Sequence, residues 1–246
     1  MKLEKENIEF LNKKLQNEYS EGLKKVNKEL DQFAYVISHD LKAPLRAIAN
    51  LALWIEEDLG ELMPAEIKKN MDLLRGRVHR MESLINGILE YSRAVRKNEN
   101  IEIVDVKKLL TEIIDLISPP STFHIEIKEN IPTIKSEKIK LQQVFSNLIN
   151  NAYKHNHNPS SGKIIIDYQN NENSHLFSVE DNGPGISSEY HEKVFQIFQT
   201  LEARDQIENT GVGLAIVKKI VEENGGKVWV ESERGSGAKF IFTWKK

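Results

Sequence analysis

Three short blocks of this sequence hold residue types and spacings suited to phosphate chemistry. Asp181-Asn182-Gly183-Pro184-Gly185-Ile186 follows directly on an alternating segment that reads as a strand. Gly183 and Gly185 let the backbone come close to a ligand, and Asp181 offers an acceptor beside them. The same residues also make a good turn, so this block alone is ambiguous. Gly211-Val212-Gly213-Leu214 opens a helical pattern, where free backbone N–H groups and the helix dipole can hold phosphate. It is not the dinucleotide fingerprint, since no third glycine follows, and no Gly-Lys-Ser/Thr marks a Walker loop. Asn147, Asn151 and Lys154 recur at steps of four and three, which puts them on one helix face. Amide oxygens can ligate Mg²⁺ and a lysine can meet phosphate oxygens. Taken singly, such a triplet is more often a solvated polar face.

A second kind of chemistry rests on His39. It stands off the apolar stripe marked by Ile37 and Leu41, so it faces outward from its helix. Asp40 can accept the proton of one imidazole nitrogen and leave the other as a nucleophile. Pro44 removes a backbone donor and bends the helix locally. Most exposed helical histidines do nothing, but Asp40 beside it and Pro44 five residues on raise the case for His39. His155 and His157 suggest a metal pair, but no third ligand is placed by spacing. His79, His124, His175 and His191 are scattered and read as surface residues.

The elements that must position these residues can be read from periodicity. Residues 1–58 read as one long helix, with Leu15, Tyr19, Leu23, Val26, Leu30, Phe33, Ile37, Leu41, Leu45, Ile48 and Ile55 forming one seam. Seven lysines against seven acidic residues in 1–31 suit the flanks of a coiled coil. Gly60 can end this helix, and Pro64 suits the first turn of the next, over roughly 65–96. Two helices with a short connection make an antiparallel hairpin. A symmetric dimer forming a four-helix bundle would cover the apolar surface each hairpin leaves open. The polar run 96–100 reads as a linker. Beyond it, helices over 105–118, 136–156 and 211–224 alternate with strands over 123–128, 163–168, 175–180, 228–231 and 239–244. That pattern predicts an α+β sandwich with helices on one face of a mixed sheet. The expected division is 1–31 coiled coil, 32–97 helical hairpin and 98–246 sandwich domain.

Composition narrows the function classes. A formal charge of -3 and a pI of about 6.2 give no electrostatic case for nucleic acid or an anionic membrane. The absence of cysteine removes disulfides, Cys-based zinc sites and thiol catalysis, and fits a reducing compartment. No apolar run approaches the ~18 residues of a membrane span, and the start lacks a signal-peptide pattern. The expected setting is therefore cytoplasmic, without direct membrane insertion, with a sensory segment expected in a longer parent protein or a partner.

The order of the blocks carries more than any block alone. An asparagine helix, then Asp-Asn-Gly-Pro-Gly, then Phe195 and Phe198, then Gly-Val-Gly-Leu resembles the catalytic domain of histidine kinases over residues 101–246. Upstream, the run from Phe33 to Ile48, with Ser38-His39-Asp40-Leu41-Lys42-Ala43-Pro44-Leu45 at its centre, resembles the phosphoacceptor box of the same family, in its phytochrome-like form. The resemblance implies a fold of the histidine-kinase, gyrase and Hsp90 ATPase type and a protein-histidine kinase with ATP and Mg²⁺ as cofactors. It implies a homodimer that phosphorylates His39 and passes the phosphoryl group to a response-regulator receiver domain. It implies that Asp181 accepts from the adenine amino group and that Gly183 and Gly185 shape its pocket. Asn151 would ligate Mg²⁺ with Asn147 beside it, Lys154 would contact phosphate, and His155 would lie near the ribose and phosphates. Gly211, Gly213 and Leu214 would form the phosphate end, under a lid over 199–210 anchored by Phe195 and Phe198, with Arg204 reaching toward the γ-phosphate.

Two departures sharpen the expectation. ATP-hydrolysing relatives of this fold carry a water-activating Glu where this sequence has Asn147, so water attack is disfavoured. Related kinases that also dephosphorylate their regulator carry Thr or Asn four residues after the histidine. Ala43 cannot orient a water, which implies weak or absent phosphatase activity. A scaffold whose nucleotide site has decayed is disfavoured by the intact Asn151, Asp181, Gly183, Gly185, Gly211 and Gly213.

Overall fold

The protein is described here by a computed structural model covering residues 2–94, 100–156, 161–201 and 210–246; before residue 32 it describes burial only at positions 14, 15, 22 and 26. The chain divides into two compact units, Met1–Arg93 and Ala94–Lys246.

The first unit is a helical hairpin. Helix α1 spans Lys2–Leu59, and α2 spans Ala65–Arg93. Gly60 adopts φ +46 and opens a single 3₁₀ turn to Leu62, which stops α1 where the sequence placed its end. Pro64 then starts α2, its carbonyl accepting from the Lys68 N–H at 3.0 Å. The two helices close on a small core of Leu45, Val78 and Ile85, with Ala49 packed against it. Arg75 ties the helices near the turn by pairing with Glu56 across the hairpin and with Asp72 on its own helix. At the far end the Arg93 guanidinium lies 5.7 Å over the Tyr35 ring. Most of the apolar stripe is not covered by this fold. Phe33, Ile37, Leu41, Ile48 and Ile55 are exposed, as are Leu51 and Trp54. No described helix is long and apolar enough to cross a membrane.

The second unit is an α/β layer structure. Its main sheet has the order β2-β4-β5-β7-β6, from β2 (His124–Ile127), β4 (Lys163–Asn170), β5 (Ser174–Asp181), β7 (Ala238–Lys245) and β6 (Val228–Ser232). Only β2 and β4 run parallel. Three helices, α3 (Val106–Ile117), α4 (Lys138–Lys154) and α5 (Gly213–Glu223), accompany it. Alternation along the strands buries Ile164 and Ile166 of β4, Phe177 and Val179 of β5, and Phe240 and Phe242 of β7. Phe145 of α4 meets Phe177 and Phe242 edge-on at 5.3 and 5.4 Å, which fixes α4 against the sheet centre. Lys140 on α4 is buried because Glu137 (3.2 Å) and Glu223 of α5 (3.9 Å) pair with it.

Periodicity overlooked one element. Strand β1 (Glu102–Asp105) pairs antiparallel with β3 (Thr133–Ser136) as a separate ribbon. Each strand has four residues and buries one apolar side chain, Val104 or Ile134, too few for a period of two to be seen. Asp105 leaves the ribbon as the cap of α3, accepting from the Lys108 N–H at 3.0 Å. The Trp244 indole N–H donates to Ser136 Oγ at 3.0 Å and binds ribbon to sheet.

Two histidines read as surface residues have specific contacts instead. His175 lies 2.9 Å from the Tyr168 hydroxyl through Nδ1, and burial pushes its pKa down, with the Lys246 charge adding to the effect. His191 Nε2 lies 3.1 Å from the Ile186 carbonyl oxygen. Neither contact could be read from spacing, since the partners sit on other turns and strands.

Candidate functional site

In the second unit, α4 is the common wall of the site. Asp181 ends β5 and is half-buried. Its Oδ1 accepts from the Gly183 N–H at 2.8 Å and the Ala238 N–H at 3.3 Å. Oδ2 has no partner among the described residues, so one acceptor is left for a ligand. Burial pushes the Asp181 pKa above the ordinary carboxylate value, against the two N–H groups and His155, which lower it. Gly185 follows at φ +70, and a Cβ there would sit 1.9 Å from the Glu233 carbonyl oxygen. Only glycine permits that approach, which folds the 182–187 loop against the β6–β7 turn.

Helix α4 brings Asn147, Asn151 and Lys154 to one side, as their spacing requires. The Asn147 amide donates to the Gln143 carbonyl at 2.8 Å, which turns Oδ1 outward. A Cβ at Gly213 would stand 2.7 Å from that Oδ1, so the start of α5 crosses directly against Asn147. The side chains of Asn151 and Lys154 have no partner among the described residues. His155 caps α4, its N–H donating to the Asn151 carbonyl at 3.1 Å. The N-terminus of α5 has no side-chain cap, so the first N–H groups, at Gly213 and Leu214, are unspent among the described residues. Gly211, at φ +65, accepts from the Phe198 N–H at 2.9 Å through its carbonyl. The structure thus gathers Asp181, Gly183, Asn147, Asn151, His155, Gly211, Gly213 and Leu214 around one helix. Arg204 and His157 lie outside the described residues, as does most of the expected 199–210 lid.

In the first unit, His39 is exposed, with 69% of its side chain open to solvent. Its Nδ1 lies 3.3 Å from Asp40 Oδ1. A proton held there leaves Nε2 as the free nitrogen. His39 opens onto a groove of about 380 Å³, walled on α1 by Tyr35, Lys42 and Arg46 and on α2 by Glu82, Asn86 and Leu89.

Comparison with known proteins follows the same division. Residues 29–96 match the His Kinase A (phospho-acceptor) domain, and residues 136–246 match the Histidine kinase-, DNA gyrase B-, and HSP90-like ATPase family. The chain carries the two-domain core of a histidine kinase. Cyanobacterial phytochrome B of Nostoc sp. (strain PCC 7120) is 39% identical over 90% of this chain and 30% of its own length. Sensor histidine kinase WalK of Bacillus subtilis (strain 168) is 30% identical over 89% of this chain and 37% of its own. Among solved structures, full-length ShkA in complex with AMPPNP aligns over 87% of this chain and 45% of its own, with a TM-score of 0.61 and 26% identity. Histidine kinase ThkA in complex with response regulator protein TrrA aligns over 85% of this chain and 61% of its own, with a TM-score of 0.57 and 25% identity. The chain spans about 30% of the length of the cyanobacterial phytochromes it matches.

Two residues of this kinase core, not singled out in the sequence, hold the 182–187 loop. Asn182 Oδ1 accepts from Asn156 Nδ2 at 2.8 Å and from the Lys163 N–H at 2.7 Å, and its Nδ2 donates to the Ser161 carbonyl at 2.8 Å. It therefore ties Asp181 to the end of α4 and the start of β4. Ser232 Oγ accepts from the Ile186 N–H at 2.8 Å and donates to the Gly237 carbonyl at 2.6 Å. The motif gave no cue for Asn182, because its position between Asp181 and Gly183 looked like turn filler. Asn182→Ala is expected to cost roughly 1–2 kcal/mol of unfolding free energy, three modest hydrogen bonds discounted for exposure. Denaturant titration of the full chain checks this, and the Lys163 amide should exchange faster.

Proposed function

We propose that this chain transfers the γ-phosphoryl group of ATP to His39 and then to an aspartate of a response-regulator receiver domain. The observation that carries this reading is the pairing of exposed His39 with Asp40 at 3.3 Å, which suits a proton on Nδ1 and a lone pair on Nε2. In the first step the Nε2–P bond forms and the bond from phosphorus to the β,γ-bridging oxygen breaks, releasing ADP. The Nδ1 proton stays shared with Asp40. In the second step a carboxylate oxygen of the receiver takes the phosphoryl group, the N–P bond breaks and neutral His39 is restored. Each bond broken is matched by one formed, so no further reactant is needed.

The residues of the second unit fit ATP. Asp181 Oδ2 is open to the adenine amino group, and the unspent N–H groups at the start of α5 suit phosphate oxygens. Asn151 presents a free hard oxygen donor for Mg²⁺, with Lys154 and His155 beside it and Asn147 against α5. When bound, Mg²⁺ neutralises phosphate charge. Asn147 makes transfer to histidine preferable to hydrolysis, since an amide cannot take a proton from water. Incubation with γ-labelled ATP should give a label that is acid-labile and base-stable. A label stable in acid would point to a hydroxyl acceptor and sink the reading.

The exposed stripe from Phe33 to Ile55 supports a homodimer through the hairpins. The full chain should sediment as a dimer at micromolar concentration, whereas a chain lacking residues 1–100 should be monomeric. A monomeric full chain would contradict the four-helix bundle. The setting that fits is the cytoplasmic part of a longer sensor protein.

A further inference from the structure

We propose that Arg46, aided by Lys42, holds the phosphoryl group carried by phosphorylated His39 and lengthens its lifetime. The inference rests on His39 as the phosphorylated residue. His39, Lys42 and Arg46 stand at i, i+3 and i+7 on α1 and all line the same groove of about 380 Å³. A helical side chain leans toward the N-terminus of its helix. His39 leans the same way, but Lys42 and Arg46, lying about 4.5 and 10.5 Å further along the axis at 1.5 Å per residue, have longer side chains and so reach back toward the imidazole.

Neither cation has an ion-pair partner among the described residues, although other exposed cations, such as Lys128, Lys163 and Lys239, do. The Arg75–Glu56 and Arg93–Tyr35 contacts set the register of the hairpin. That register puts Leu89 level with His39, Asn86 with Lys42 and Glu82 with Arg46. The one carboxylate facing the groove from α2 is thus two turns from the imidazole, and beside the phosphorylation site stand an apolar wall and an amide donor. The groove gathers unspent donors where three new phosphoryl oxygens would appear.

The effect on lifetime follows from charge. A phosphoryl group leaves nitrogen through a loose transition state, and it leaves faster when the imidazole is protonated. Cations paired to the phosphoryl oxygens favour the bound dianion and disfavour a proton on the adjacent ring. An arginine fork can take two oxygens at once, which a lysine cannot.

Phosphoramidate tests this without ATP. It phosphorylates histidine directly: its P–N bond breaks, the His39 Nε2–P bond forms and ammonia leaves. The full chain is treated with phosphoramidate at neutral pH, then freed of reagent. Decay is followed at His39 and at exposed His124 by peptide mass spectrometry, His124 serving as the reference in the same sample. In the native chain His39 should lose phosphate more slowly than His124. In the Lys42→Ala, Arg46→Ala chain its decay should quicken about threefold, the range open to one or two exposed charge pairs, and approach that of His124. Arg46→Lys should restore part of the difference. Raising salt to about 0.5 M should shorten the native lifetime and leave the double variant unchanged, because exposed pairs are screened. Equal decay at His39 in native and double-variant chains, with His124 unchanged, would overturn the proposal. Because ATP is absent, failure of the kinase reading would appear separately, as ATP labelling that survives in His39→Gln.

Discussion

His39→Gln is expected to abolish acid-labile labelling from ATP while leaving nucleotide binding unchanged. Glutamine keeps similar length and polarity on an exposed turn of α1, so the helix and the Leu45–Val78–Ile85 core should persist. What it lacks is a nitrogen lone pair, because its amide nitrogen is conjugated with the carbonyl. The loss should be total within detection, since nothing beside it on the groove offers a replacement: Lys42 is cationic, and Tyr35 presents a phenol that would give an acid-stable product. Two readouts check the result. Labelling followed by acid and base treatment reports the acceptor, and fluorescent-nucleotide titration reports the second unit. Normal acid-labile labelling in the variant would mean another histidine is the acceptor.

The second large effect is expected at Asp181. Asp181→Asn keeps an oxygen for the Gly183 and Ala238 N–H groups, so the loop should hold its shape. The replaced Oδ2 becomes an NH₂ donor, facing the adenine amino group donor to donor. Losing a charge-assisted hydrogen bond costs about 1.5–3 kcal/mol, or roughly ten- to hundredfold in ATP affinity. The native protein should also lose affinity as pH falls, because only the ionised carboxylate accepts. Burial raises the pKa of Asp181, so this loss should begin at a higher pH than for a solvated aspartate. The sign for folding is the opposite. A carboxyl with a raised pKa favours the folded state at low pH and gives up that contribution as pH rises through the folded-state value. The variant should therefore be no less stable than the native chain at neutral pH. Isothermal titration across pH 4–8, with thermal melts alongside, checks both. Unchanged affinity in the variant would remove Asp181 from the adenine contact.

Much of this architecture was legible because its signals are long or local. The 58-residue α1 and 29-residue α2 carry enough turns for periodicity to be unmistakable, and Gly60 and Pro64 mark their junction chemically. Strands β4, β5 and β7 each have eight residues, long enough to show a strand pattern, and β4 alternates in burial. The β1–β3 ribbon escaped because four-residue strands offer one buried apolar position each, and their pairing joins residues about thirty apart. The face shared by Asn147, Asn151 and Lys154 follows from helix geometry alone, and so was readable. The roles of Asn182 and Ser232 depend on contacts between distant segments, and those of His175 and His191 on how a hairpin and a loop fold back, which residue spacing does not encode.

The small core of the hairpin bears on which molecules can share a signal. Leu45, Val78 and Ile85, with Ala49 beside them, are little apolar burial for the hairpin over its described residues 32–93. At about 1.5–3 kcal/mol for each large side chain fully buried, such a core does not offset the ordering of so much chain. In the proposed dimer, separation of two hairpins would therefore amount to unfolding them. Exchange of subunits would be correspondingly slow, limited by the stability of the bundle and not by a surface contact. A kinase built this way keeps the partner it folded with. Related kinases with similar hairpins, made elsewhere in the same cell, would seldom mix with it, and insulation between pathways would be inherited at the moment of assembly.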